Sequence, residues 1–148
     1  MGYIENIRAS VGNMPIILVS AGVIIEDGNN VLLCYRKDTN DWGLPGGYME
    51  PGETVLETAF RELKEEMKVI PDDLQFYRIF SGQDFYHEYP NGDQVYSVIV
   101  MFTTSSSFVG KITVDHQEIE EAKFFSLDSL PPKLTKTTQN ILEVYKNG

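Results

Sequence analysis

A chain of 148 residues, 42% apolar and 23% charged, can bury a core without disulfide or metal staples and is read as one globular domain over residues 1–148. Twelve Lys and Arg against 22 Asp and Glu leave a formal charge of −10, which argues against a broad basic surface and general binding to nucleic acid or anionic membrane. The single cysteine, Cys34, rules out a disulfide framework and a thiolate zinc site and suits a cytoplasmic protein.

Residues Tyr3–Val11 place Ile4, Ile7 and Val11 on one helical face, with Gly12 as a stop. This predicts a short N-terminal helix that packs against the domain, in preference to a substrate or dimer contact. The longest apolar run, Pro15–Ile25, contains Ser20 and is too short to span a bilayer. It is read as a core strand from Ile16, not as a signal peptide or membrane segment. Asp27-Gly28 then signals a hairpin into a second strand, Val31–Arg36. Cys34, inside that strand, is read as a buried, inert thiol. Arg36 and Lys37 end it, and contact with substrate phosphates and ordinary solvation weigh equally for them. Trp42–Gly47 reads as a loop making a close approach, with Pro45 fixing φ and Gly46 and Gly47 relieving crowding.

The next stretch, Gly47–Val69, carries the strongest signal. Thr54 and Glu57 form a capping box at the start of a helix. Val55, Leu56, Ala59, Phe60, Leu63 and Met67 recur along its core-facing stripe. Glu62, Glu65 and Glu66 crowd another face at i,i+3 and i,i+4 spacing, with Arg61 within reach of Glu57 and Glu65. Such a cluster suits either a divalent cation with hard oxygen ligands or a solvated acidic face.

As a whole, the stretch resembles the Nudix box, G-x5-E-x7-R-E-U-x-E-E-x-G-U with U aliphatic. Gly47, Glu53, Arg61, Glu62, Leu63, Glu65, Glu66 and Val69 fit, and Lys68 alone departs, standing where the pattern has glycine. The preceding Trp42-Gly43-Leu44-Pro45-Gly46-Gly47 is also typical of the family. The resemblance implies a MutT-like pyrophosphohydrolase with Mg²⁺, or Mn²⁺, as cofactor. It implies Glu62, Glu65 and Glu66 as metal ligands, joined by a backbone carbonyl at Gly46 or Gly47. Glu53 and Arg61 are expected to orient the cluster. The general base is expected to be Glu118, with Glu121 next, or a box glutamate itself, for which Glu65 is the candidate. Lys68 falls where the helix ends in a left-handed residue, so the departure touches helix termination and removes no ligand.

Beyond the box, Pro71 stops the helix and Leu74–Ser81 reads as a strand. Phe85–Tyr89 and Gln94–Thr104 are strands joined at Asn91-Gly92. The second is apolar on both alternating faces and is therefore expected to be central. A polar loop, Thr103–Ser107, ends it. His87 and His116 are read as surface or loop residues. The acidic run Asp115–Glu121 reads as a loop ahead of a short strand at Phe124–Leu127, and after Pro131-Pro132 a closing helix covers Thr137–Tyr145. This order predicts an α/β/α sandwich around a mixed sheet, the fold that the resemblance also implies.

The family mostly cleaves a nucleoside diphosphate linked to another moiety X, so the expected partner is a small nucleotide-type molecule, and the protein is expected to act as a monomer or homodimer. Phe85 stands near a position where the ADP-ribose subgroup carries proline, which weighs against that substrate. Tyr86 stands near a tyrosine associated with dinucleoside polyphosphates. Arg36, Trp42, Phe85 and Tyr86 are the candidate substrate contacts, with Tyr89 and Tyr96 as further stacking aromatics. Two other readings are a catalytically silent nucleotide-binding module and an isomerase of isoprenyl diphosphates.

Overall fold

The computed structural model describes residues 2–105 and 112–148. A first helix, α1 (Tyr3–Val11), precedes the hairpin of β1 (Ile16–Asp27) and β2 (Asn30–Arg36), which turns at Gly28 with φ +61°. Two three-residue strands follow, β3 (Asp41–Gly43) and β4 (Gly46–Tyr48), and then the long helix α2 (Val55–Met67). The second half contains β5 (Gln75–Phe80), a 3₁₀ turn at Gln83–Phe85, β6 (Tyr86–Glu88), β7 (Gln94–Ser105), β8 (Ile119–Ser126) and α3 (Lys136–Asn147).

The strands form one sheet with the order β3-β2-β1-β7-β5, while β4 pairs with β1, β6 with β7 and β8 with β2. β1 and β7 run parallel over the register Ile16↔Val95 to Glu26↔Ser105, and the other pairings are antiparallel. Alternation along these two central strands builds two cores. Ala21, Val23, Ile25, Val100 and Phe102 meet Ala59, Leu63 and Met67 of α2 on one face. Ile24, Ile99 and Met101 meet Ile141 and Leu142 of α3 on the other. This is the expected α/β/α sandwich, with β7 central as its two apolar faces require.

Several boundaries differ from the sequence reading. Trp42–Gly47 is two short strands around Leu44-Pro45, because β3 pairs with β2 and β4 with β1. Phe85 closes the 3₁₀ turn instead of opening a strand. β8 begins at Ile119, since its ladder on β2 extends to Arg36 through a bulge. β7 continues to Ser105, and Ser106 and Ser107 of the expected loop lie outside the described residues. On α2, Leu56 leaves the core-facing stripe and is 40% exposed.

The start of α2 is as expected: Thr54 Oγ1 accepts from Glu57 N at 3.0 Å, and Glu57 Oε1 accepts from Thr54 N at 2.8 Å. Glu57 is thereby committed to the cap, and the ion pairs made by Arg61 run to Glu53, Glu62 and Glu65 instead. Lys68 ends the helix at φ 57°, ψ 33°, in the left-handed conformation. A side chain there costs about 1 kcal/mol relative to glycine. Lys68→Gly is therefore expected to raise the melting temperature by about 2–4 °C in thermal unfolding followed by circular dichroism, and an unchanged or lower value would contradict this account of the helix end.

Candidate active site

β4 is wedged between β1 and the carboxylate-bearing face of α2, and its two glycines leave no room for a side chain. A Cβ on Gly46, whose φ is +148°, would come within 2.3 Å of the Ala21 carbonyl oxygen, and one on Gly47 within 2.4 Å of Glu62 Cδ. The backbone thus reaches the carboxylates, and Gly46 N–H donates to Glu66 Oε1 at 3.1 Å.

Arg61 sits at the centre of the cluster. Its Nε and one terminal nitrogen donate to the two oxygens of Glu53 at 2.5 and 3.0 Å, and that nitrogen also reaches the Tyr48 carbonyl at 3.0 Å. The other terminal nitrogen donates to Glu62 Oε1 at 3.0 Å and lies 3.3 Å from Glu65 Oε2. Bonding to Arg61, with help from the Glu50 N–H and the Thr58 hydroxyl, holds the Glu53 carboxyl at about 2, well below the usual range.

Glu66 is the opposite case. It is 3% exposed, and its Oε2 has no hydrogen-bond partner, with only the Arg36 guanidinium 3.7 Å away. Burial, reinforced by the charge of Glu62, pushes its carboxyl up to about 8, against the pull of Arg36 and the Gly46 N–H. Glu62 is also raised, first by burial. A buried oxygen without a donor, among carboxylates that repel one another, fits a divalent cation. Among the described residues no three His, Cys, Asp or Glu side chains form a ready-made metal cage. Mg²⁺ suits such a site because it completes its shell with water and substrate phosphate oxygens.

The acidic run reaches this cluster through the end of α2. Thr113 N–H and Asp115 N–H donate to the terminal carbonyls of Met67 and Glu66 at 3.0 and 2.9 Å, and Lys37 N–H donates to the Glu118 carbonyl at 3.0 Å. Lys37 Nζ is occupied by the His116 carbonyl. Glu118 consequently shares one recess with Glu62 and another with Glu65 and Glu66. Glu121 lies within β8, opposite Tyr35, and lines neither.

Two cavities meet along Arg36, Asp38, Gly46, Gly47 and Tyr48. The one beside the carboxylates has a volume of about 590 Å³ and the other of about 210 Å³. The smaller lies between the sheet and α3, with Leu44, Ile99, Met101 and Ile141 among its walls and His87 and Tyr89 at its edge. Tyr48 Oη lies 3.1 Å from Tyr89 Oη and 3.4 Å from Ser97 Oγ, giving this apolar space a polar floor.

Of the four residues expected to contact substrate, Arg36 lines both cavities and the other three line neither. Trp42 packs edge-on between Tyr35 and Phe125 at ring distances of 5.2 and 4.8 Å. Phe85 is 7% exposed and stacked near Phe80. Tyr86 faces the α2 side of the sheet through its register with Tyr96, whereas His87, one residue on, faces the cavity side. Strand parity was the available signal: His87 and Tyr89 share a face that Tyr86 cannot. The reading of His87 as a surface histidine therefore holds for its exposure but missed its place at the cavity edge.

The chain belongs to the Nudix family: the NUDIX domain model matches residues 17–147. By class it is a Nudix pyrophosphohydrolase. It is 35% identical over 136 residues to an ADP-ribose pyrophosphatase of Methanocaldococcus jannaschii, covering 88% of this chain and 75% of that one. It is 30% identical over 113 residues to an NAD-capped RNA hydrolase of Pseudomonas aeruginosa, covering 74% of this chain and 36% of that protein. Among solved structures, the MutT NUDIX hydrolase of Burkholderia pseudomallei matches with a TM-score of 0.71 at 26% identity, over 86% of this chain and 97% of that one.

The raised Glu66 carboxyl sets a pH dependence. Between about 4.5 and about 8 the folded chain holds a proton that the unfolded chain has released, so its stability falls as pH rises through that window. Glu66→Gln removes the ionisation. In chelator, this variant is expected to melt several degrees above the parent at pH 8.5, with the gap closing towards pH 5. A gap that does not change with pH would contradict the assignment.

Proposed function

We propose that this protein hydrolyses the pyrophosphate bond of a nucleoside diphosphate linked to a second moiety, with ADP-ribose as the leading substrate and Mg²⁺ as the cofactor. The observation that carries the reading is the junction of the two cavities, an apolar space of base-like character opening at Arg36 and Gly46-Gly47 onto the carboxylate cluster. The relative named an ADP-ribose pyrophosphatase supports the choice of substrate. Phe85 does not weigh against ADP-ribose, because its side chain fills the core and lines neither cavity.

In this reading Glu62, Glu65 and Glu66 would hold the metal, together with a backbone carbonyl at Gly46 or Gly47. The bound ion supplies neutralisation of the phosphate oxygens and a lowered pKa for water. Arg36 meets a phosphate oxygen, and Arg61 holds Glu62 and Glu65 in place while Glu53 holds Arg61. Glu118, which shares one recess with Glu62 and another with Glu66, takes the proton of the attacking water. The bridging phosphorus–oxygen bond then breaks, and ADP-ribose yields AMP and ribose 5-phosphate. The domain spans 1–148 and works in the cytoplasm as a monomer or homodimer. Among the described residues no helix is long and apolar enough to cross a membrane.

The competing readings fare worse. A silent binding module would be favoured by loss of box glutamates, and all are present. An isomerase invoking Cys34 would need a reactive thiol, yet Cys34 is buried and its thiol is pushed far up by desolvation.

With ADP-ribose and Mg²⁺, product chromatography is expected to show AMP and ribose 5-phosphate. Glu66→Gln is expected to lose at least about a hundredfold in turnover, beyond the usual loss for a residue that only supports a ligand. Absence of turnover on ADP-ribose, nucleotide sugars, dinucleoside polyphosphates and nucleoside triphosphates alike would sink the proposal.

A further inference from the structure

The reaction described above gives no role to α1. This helix lies before the matched residues 17–147, and none of its residues is buried. Its apolar stripe, Ile4, Ile7 and Val11, is half-buried, and its polar tether to the domain is a single side chain. The Arg8 guanidinium donates to the carbonyls of Gln94 and Met14 at 2.6 Å each and of Gly12 at 3.0 Å, and its Nε lies 3.6 Å from the Asp93 carboxylate. Asp93 and Gln94 belong to the hairpin of β6 and β7, which also carries His87 and Tyr89 to the base-side cavity. Charge-assisted bonds of this kind define an orientation where packing does not.

That orientation sets the first turn of α1 as a wall of the larger cavity, which Tyr3 and Glu5 share with Arg61, Glu62 and Glu118. Tyr3 is 46% exposed, and its ring and hydroxyl have no partner among the described residues. The charges around it are mostly acidic. Glu5, Glu50 and Glu118 line the same space, while Lys37 Nζ is taken up by the His116 carbonyl and Arg61 by Glu53, Glu62 and Glu65. With the base in the smaller cavity and the phosphates at Arg36, the moiety X extends into this space. An anionic X would be repelled there, whereas an uncharged sugar can lay its carbon–hydrogen face on a tyrosine ring and hydrogen-bond its hydroxyls to carboxylates.

We propose that Tyr3 is a specificity residue that packs against an uncharged, hydroxylated moiety X, and that Arg8 is the positioning residue that holds α1 across the site. This deepens the pyrophosphohydrolase reading and rests on it. The test compares the parent with Tyr3→Ala and Arg8→Ala, using ADP-ribose as substrate and AMP, which lacks X, as competitive inhibitor. Each variant is expected to raise KM for ADP-ribose about fivefold, with kcat and the inhibition constant of AMP unchanged and Arg8→Lys recovering part of the loss. Tyr3 is a surface side chain, so its variant keeps the test meaningful if Arg8→Ala folds poorly. An unchanged KM in Tyr3→Ala, or a parallel rise in KM and in the AMP constant, would overturn the proposal while leaving the pyrophosphohydrolase reading intact. A parent that turns over no nucleoside diphosphate derivative would bring down that reading and this one together.

Discussion

The Arg61 guanidinium is the constraint on which the site depends. It binds Glu53, Glu62, Glu65 and the Tyr48 carbonyl at once, so one planar group ties the box helix to the end of β4. Without it, carboxylates one helical turn apart would repel one another and turn outward to water. Glu53 is the other half of the device. Its carboxylate is bidentate to Arg61 and also takes the Glu50 N–H and the Thr58 hydroxyl, which leaves it ionised far into the acid range. Arg61 is raised in turn, first by its bond to Glu53. The pair acts as a fixed frame, and the Glu62 and Glu65 carboxylates are held by that frame.

The sheet supplies the second constraint. Gly46 lets β4 pack closely on β1, Gly47 leaves room for the Glu62 carboxyl, and the Gly46 N–H bonds the buried Glu66. A carboxylate placed there resists ionisation until a positive charge arrives. Arg36 provides some of that charge at 3.7 Å, from the end of the strand that also borders the smaller cavity. The carboxylate cluster and the two cavities therefore meet on a few residues, and the hairpin of β6 and β7 links them to α1 through Arg8.

Much of this was legible in the sequence where the signal was local. The Thr54–Glu57 capping box, the hairpins at Gly28 and Asn91-Gly92 and the two-faced β7 all follow from spacing and turn chemistry over a few residues, and the left-handed Lys68 follows from its place in the box pattern. The box carried the identity and the positions of the carboxylates. Features that depend on distant pairing were not legible. Of the two partners expected for Arg61, Glu65 holds and Glu57 does not, because Glu57 could serve the cap or the arginine, and the cap took it. Trp42, Phe85 and Tyr86 were placed at the substrate because aromatic rings stack on bases, but two of them fill space between layers and the third faces the wrong side of the sheet. Glu118 reaches the cluster only because residues 113–115 satisfy the last carbonyls of α2, a contact that no local pattern encodes.

The central claim is that Arg61, which fixes Glu62 and Glu65, together with the Gly46 N–H and Arg36, which fix Glu66, presents the three carboxylates as a divalent-cation site. Titration of Mn²⁺ into the parent and into Arg61→Lys, followed by electron paramagnetic resonance, tests it most directly. Lysine keeps the charge but cannot make the forked contacts. The account predicts one or more Mn²⁺ ions bound by the parent, and an affinity about tenfold to a hundredfold weaker in the variant, with an unchanged circular dichroism spectrum. Equal affinity in the two proteins, or no Mn²⁺ binding by the parent, would contradict it.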